Sequence, residues 1–268
     1  MKKSRVGIVV CIVLFLFTTL SAQSNNIGII GGINMSNIDI SFDGEETDEI
    51  NDLIDMEGST GFGIGGLLEL GLNESMSLCF EPMYLMKGAH QSEDIGEMLG
   101  SITGTPLQNE AMIDISLNAS YIEIPILLKM TLGSGDMQPY IMAGPTIGIL
   151  MGANLGINAL GIGFDLNVKD LAKSTDYGIA LGGGLRFPIG ENTFFVEGRY
   201  SMGMANVIDE DKIIEALTSA GELAGVLMNL YGGGGLVKAS QEDEIDLGIE
   251  GKTKGIQIMA GFCMPLGS

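Results

Sequence analysis

YIEIPILLKM, residues 121–130, sets Glu123, Pro125 and Lys129 inside a run of aliphatic side chains. Successive side chains of a strand point to opposite faces. Ile122, Ile124, Ile126, Leu128 and Met130 then share one face, and Tyr121, Glu123, Pro125, Leu127 and Lys129 share the other. A central strand in a water-soluble core would not bury two charges, and a proline there withholds a ladder hydrogen bond. The pattern fits a strand that turns its isoleucines to lipid and its charges to an enclosed interior. Pro125 predicts a bulge or a local break in pairing.

Seven more segments alternate in the same way and are bounded by turn residues. They are IGIIGGINM (27–35), TGFGIGGLLELGL (60–72), SMSLCFEPMYLMK (75–87), QPYIMAGPTIGILM (138–151), TDYGIALGGGLRF (175–187), TFFVEGRYSMGMA (193–205) and KGIQIMAGFCMPL (254–266). The opening stretch belongs to ASYIEIPILLKMTL (119–132). Each is as long as the roughly 9–11 residues that a tilted strand needs to cross a bilayer. The connectors alternate between short (73–74, 133–137, 188–192) and long (36–59, 88–118, 152–174, 206–253). Short periplasmic turns and long extracellular loops are the signature of an outer-membrane barrel. The expected fold is all-β: a single eight-stranded antiparallel up-and-down transmembrane β-barrel with four long extracellular loops. An even strand count brings both termini to the periplasmic side.

Parity collects the interior. Glu69, Glu81, Glu123 and Glu197 face Lys87, Lys129, Arg186 and Arg199. A barrel of about eight strands has room for side chains and little else. Four acids against four bases therefore predict a lumenal ion-pair network, a plug rather than a channel. Gly61, Gly63, Gly65, Gly182 and Gly184 fall on the same face and relieve crowding in the lumen.

Composition agrees. The chain starts MKKSRVGIVVCIVLFLFTTLSAQ, with a basic start, an apolar run from Val6 to Leu20 and small residues at Ser21 and Ala22. Residues 1–22 read as a signal peptide and 23–268 as the barrel domain. Cleavage removes Lys2, Lys3 and Arg5, so the formal charge moves from −21 to about −24. That balance argues against nucleic acid as a partner. Hydrophobic residues make up 46% of the chain, unlike an acidic disordered protein. No later apolar run reaches the length of a spanning helix, which leaves strands to cross the membrane.

YIEIPILLKM, QPYIMAGPTIGIL, TDYGIALGGGLRF and FFVEGRYSMGMANV together resemble the PorT-like outer-membrane β-barrel family of Gram-negative bacteria. IGIIGGINMSNI is similar to the family's first strand, with its Gly-Gly-x-Asn element. The resemblance covers nearly all of residues 27–266. It implies the barrel fold and brings no catalytic set. The family's name-giving member serves a protein-secretion and gliding apparatus, so an accessory role in secretion is implied as an alternative. Two features depart from the pattern: Phe262 is followed by CMPLGS where such barrels usually end on an aromatic residue, and the chain has no tryptophan. Tyr84, Tyr121, Tyr140, Tyr177 and Tyr200 stand in for the interfacial aromatic belt.

The first long loop carries nine acids between Asp39 and Glu57 and no base. Asp39, Ser41, Asp43 and Glu45 are candidate ligands of a weak calcium site. The EF-hand pattern fails at Ile50, where its bidentate glutamate belongs. In the last loop Ile213, Ile214, Leu217, Leu223, Val226, Leu227 and Leu230 recur at helical spacing. The expected helix of about 20 residues either caps the barrel mouth against IGEMLGSI (95–102) or docks a protein partner. GGGGLVK (232–238) is no phosphate loop. His90, the single histidine, shares a loop with Ser92 and Glu93, without a strand-held nucleophile. Cys79 and Cys263 point inward on strands three positions apart, more than about 10 Å and too far for a disulfide. The expected protein is a non-enzymatic, monomeric barrel in outer-membrane lipid, without a cofactor. Its acidic extracellular loops act in binding, adhesion or surface structure. The alternatives are the secretion accessory and a small-solute pore.

Overall fold

The computed structural model describes residues 25–42, 57–94, 112–159, 162–216, 218–219 and 248–266. Residues 1–22, expected as a signal peptide, most of the acidic first loop, IGEMLGSI and GGGGLVK lie outside these residues. Ten strands are described: β1 (Asn26–Phe42), β2 (Glu57–Gly71), β3 (Met76–Phe80), β4 (Met83–Asp94), β5 (Met112–Thr131), β6 (Gln138–Ala159), β7 (Ile162–Asn167), β8 (Thr175–Ile189), β9 (Asn192–Gly203) and β10 (Ile249–Pro265). All pairings are antiparallel. β1 pairs along its whole length with β10, from Asn26–Pro265 to Phe42–Ile249, and this closes the sheet. β3 and β4 together occupy one place between β2 and β5, and β7 extends β6 beyond the end of β8. The ring therefore has eight walls, as the alternation predicts.

The short turns gather at one end. Asn73 accepts from the Ser75 and Met76 N–H groups through its side-chain Oδ1, both at 2.9 Å. Gly190 supplies the positive φ of 64° that the two-residue turn into β9 needs. The chain ends meet at this same end, where the Leu266 N–H donates to the Asn25 carbonyl at 2.7 Å.

The walls run further at the opposite end than the apolar segments do. Residues 37–42, 88–94, 112–118, 152–159 and 249–253, expected as connectors, are strand. His90 thus sits on β4 and not in a loop. The outer face explains the difference. Along β5 the outward side chains are Asp114, Ser116, Asn118 and Ser120, and then Ile122, Ile124, Ile126, Leu128 and Met130. Along β1 they change from Ile33 and Met35 to Asn37 and Asp39, and along β10 from Ile258 and Ile256 to Lys254 and Lys252. The register puts these changes at one level, with Met35 opposite Ile256 and Asn37 opposite Lys254. Below that level is a belt of exposed Ile, Leu, Met and Phe built for hydrocarbon. Above it the polarity inverts, and Ile38, Ala89 and Val207 form an apolar cluster inside the ring.

Pro125 does not bulge its strand. Pro125 pairs with Thr146 and Leu128 with Ala143 in one register. The bulge lies further up, where Ser120 faces Gly152, Tyr121 faces Leu150 and Met151 is the extra residue. Pairing does break beside it, between Pro125 and Leu128 on the β6 side and between Glu123 and Ile126 on the side of Glu81–Pro82. The Glu81 N–H reaches the Pro125 carbonyl at 3.2 Å, and Pro125 has no N–H to return. On the other side the Gly66 N–H reaches the Pro82 carbonyl at 3.0 Å, and Pro82 has none to return. The two prolines remove one bond from each flank at adjacent residues, while the registers on either side of the gap stay continuous.

Helix starts at residue 210 and is described to 216 and at 218–219. The rest of the expected mouth helix lies outside the described residues. No helix among the described residues is long and apolar enough to cross a membrane.

The belt makes a depth-dependent prediction. Leu128→Arg, at mid-belt, is expected to cost about 2–4 kcal/mol, and Asn154→Arg, beyond the boundary, about 0–1 kcal/mol. Urea unfolding from phospholipid vesicles measures both.

Candidate functional site

The lumen is the most chemically loaded place in the described chain. All eight sequence-derived charges point into it, and each has a partner. Glu69 is held from two sides. Arg186 donates both guanidinium nitrogens to its two oxygens, at 3.2 Å each, and Ser77 donates to Oε1 at 2.8 Å. Lys129 Nζ lies 3.9 Å from Glu69 Oε2 and 4.6 Å from the Tyr140 ring centre, a cation–π distance. The Tyr140 hydroxyl donates to Glu197 at 2.6 Å. Arg199 bridges Glu197 and Glu81, the latter at 2.6 Å across the barrel. These contacts form one chain of interactions from Arg186 to Glu81.

A second group lies nearer the long-loop end. Lys87 Nζ sits 2.7 Å from Glu123 and 3.1 Å from Asp176, and it stacks over Tyr121 at 4.9 Å. Asp176 also accepts from the Thr253 hydroxyl at 2.8 Å. Asp176 corrects the sequence reading: five described acids face four bases. Its parity with Gly178, Ala180 and Arg186 in TDYGIALGGGLRF carried the signal, but its place at the segment's edge hid it.

The backbone makes room for this network. Gly182 lies opposite Arg199 and Gly184 opposite Glu197. A Cβ on Gly184 would stand 2.6 Å from the Tyr140 hydroxyl, in the space of the Tyr140–Glu197 hydrogen bond. Tyr140 and Tyr121 are buried in the lumen, which corrects their assignment to the interfacial belt. Tyr177 and Tyr200 face outward, 58% and 40% exposed.

Asn34, Gln257 and Arg199 lie directly opposite one another on β1, β10 and β9. Arg199 Nε and Nη1, Gln257 Nε2 and Oε1, Asn34 Oδ1 and Glu81 Oε1 are buried without a partner among the described residues. Three donors and three acceptors in one layer is the balance that water satisfies and that a lone anion or cation does not. Beneath this layer Ile30, Leu67, Leu127, Phe195 and Met259 form an apolar core that fills the ring.

The other candidates are not brought together. His90 Nε2 lies 3.5 Å from Glu57, while the Ser92 hydroxyl donates to Asp114 at 2.6 Å. No serine–histidine pair is built. Asp39 and Ser41 lie on the outward face of β1, and the Asp39 carboxylate is 2.7 Å from Lys254 Nζ, a cation already in place. Asp43 and Glu45 lie outside the described residues. Among the described residues no group of His, Cys, Asp and Glu is arranged to hold a metal ion. Cys79 and Cys263 are buried free thiols.

The family model for an outer membrane protein beta-barrel domain matches residues 21–209. No curated protein matches the chain. Among solved structures, Neisserial surface protein A is 9% identical over 90% of this chain and 97% of its own, with a TM-score of 0.41. Ail, the attachment invasion locus protein of Yersinia pestis, is 11% identical over 90% of this chain and 100% of its own, with a TM-score of 0.33. OmpT, an outer membrane protease of Escherichia coli, is 9% identical over 92% of this chain and 98% of its own, with a TM-score of 0.37. Likenesses at these scores carry no argument about function.

The network predicts an asymmetry in mutation. Arg199→Leu strands Glu81 and Glu197 in the lumen and is expected to cost about 3–5 kcal/mol. Replacing all three by Leu is expected to recover most of that loss, because no charge is left unpaired. Urea midpoints of the two variants decide it.

Proposed function

Because the chain belongs to the outer membrane protein beta-barrel domain family and so lies in the cell outer membrane, we propose that it is a non-enzymatic surface protein with a plugged lumen. It acts through its long-loop end, in binding, adhesion or surface structure. The observation that carries this reading is the continuous cross-lumen chain from Arg186 through Glu69, Lys129, Tyr140 and Glu197 to Arg199 and Glu81, stacked around an apolar layer. A solute path needs open space along the axis, and these side chains take it up. The described residues build neither a solute path nor a catalytic set, and in this reading the acidic loops meet the partner. The short turns and both termini face the periplasm in this reading, and the extended walls carry the loops outward.

A place in a PorT-type secretion apparatus rests on the segments that resemble that family. Affinity capture with a tag on the periplasmic turn at residues 73–75 favours it if periplasmic secretion components come down. A tag in the 43–56 loop that brings down none of them, but retains an extracellular ligand, favours the surface reading.

Two measurements test the proposal. Purified protein in planar bilayers is expected to show no single-channel conductance, and discrete openings would sink the plugged lumen. A tag at residues 43–56 is expected to be labelled on intact cells and one at 190–191 only after permeabilisation. The reverse pattern would overturn the orientation.

A further inference from the structure

We propose that the barrel mouth holds a binding site for a small hydrocarbon, of the size of one aromatic ring or a chain of about six carbons. The interior above the lipid level does not form one core. Ile38 and Val207 belong to one buried cluster, and Leu150 and Ala153 belong to another. A cavity of about 150 Å³ lies between them, with Tyr121 and Ile213 also in its wall. The four cluster residues are each under 10% exposed, so the pocket has buried walls and opens on one side.

Apolar walls that face open space forgo the burial that an apolar occupant would restore. Its wall offers no charged side chain. Water held there would lack the two to four polar partners it needs, and a polar solute would leave its own groups unpaired. A hydrocarbon loses nothing by entering. Apolar cavities of about 150 Å³ are large enough to take up benzene or xenon.

The floor separates the site from the lumenal network. The Tyr121 ring has Lys87 Nζ at 4.9 Å, tied by its ion pairs to Glu123 and Asp176. The occupant is also not a bilayer lipid chain. At the level of Ala119 and Ala153 the outward neighbours on β5 and β6 are Asn118, Ser120 and Asn154, above the apolar belt whose upper edge is Ile149 and Met151 beside Leu150. The ligand therefore arrives from the aqueous side. The inference goes beyond the loops' role and does not depend on what they bind.

Crystals of the full barrel pressurised with xenon are expected to show xenon between Leu150 and Val207. Ala153→Phe, which fills the space, is expected to remove it. Benzene added to the protein in nanodiscs is expected to shift the Leu150 and Ile38 methyl resonances saturably. Ala153→Phe is expected to weaken that response about tenfold or more. Val207→Phe fills the cavity from the opposite wall and serves if Ala153→Phe does not fold. Absence of xenon from the wild-type site overturns the proposal. So does a benzene response that survives both fillings, or side chains of the chain's own loops found in that space.

Discussion

The ladder between β1 and β10 is the constraint from which the other features follow. Lipid supplies no hydrogen-bond partner, so a sheet in it must close on itself. Seventeen residues on each side, Asn26–Phe42 and Ile249–Pro265, make that closure. Closing eight walls fixes the diameter, and the diameter fixes how much the lumen holds. The lumen must then be filled by inward side chains, and any charge among them must meet its opposite. Arg199 between Glu81 and Glu197, and Lys87 between Glu123 and Asp176, answer that demand. The lipid face and the interior trade the usual roles of apolar and charged residues for the same reason.

The wall made of β3 and β4 shows how much disruption the closed ring tolerates. Pro82 and Pro125 withhold donors on opposite flanks of one short stretch, yet the registers immediately on either side of it agree. Glu81 at this gap keeps its own N–H bonded to Pro125 and sends its side chain to Arg199. The weakest point of the ladder is thus also where a cross-lumen ion pair ties the wall to β9. The backbone loses bonds there, and the side chain restores a link.

Much of this was legible in YIEIPILLKM and its relatives, because lipid-facing isoleucines leave a period-two mark. The eight walls, the eight lumenal charges and the inward thiols all follow from that parity. The signal stops at Ser120, where outward residues turn polar and the apolar ones, Ile38, Ile115 and Leu117 among them, move to the inner face. An alternation whose sense reverses, weakened by Ala89, Ala119 and Ala153, is hidden from a reading keyed to lipid-facing isoleucines, so the upper walls and β7 were not legible. Asp176 was missed at that boundary. Pro125 marks a real gap in pairing without a bulge, and sequence shows which donor is missing but not which neighbour goes without it. Tyr121 shows the limit of residue-type rules, since its parity with Glu123 outweighs the preference of tyrosine for the interface.

The upward extension of the walls has an electrostatic consequence. From Ser120 to Met112, β5 climbs eight residues beyond the apolar belt. At about 3.3 Å per residue and a tilt near 40°, that lifts the rim about 20 Å above the hydrocarbon edge. The screening length at physiological ionic strength is about 8 Å. β1 rises from Asn37 to Phe42 beyond the same level, in a chain whose formal charge is −21. With about 5–7 Å of headgroup subtracted, a charge at the β5 rim lies more than one screening length above the lipid phosphates. A pedestal of this height partly decouples charge carried at the rim from the charge of the lipid headgroups.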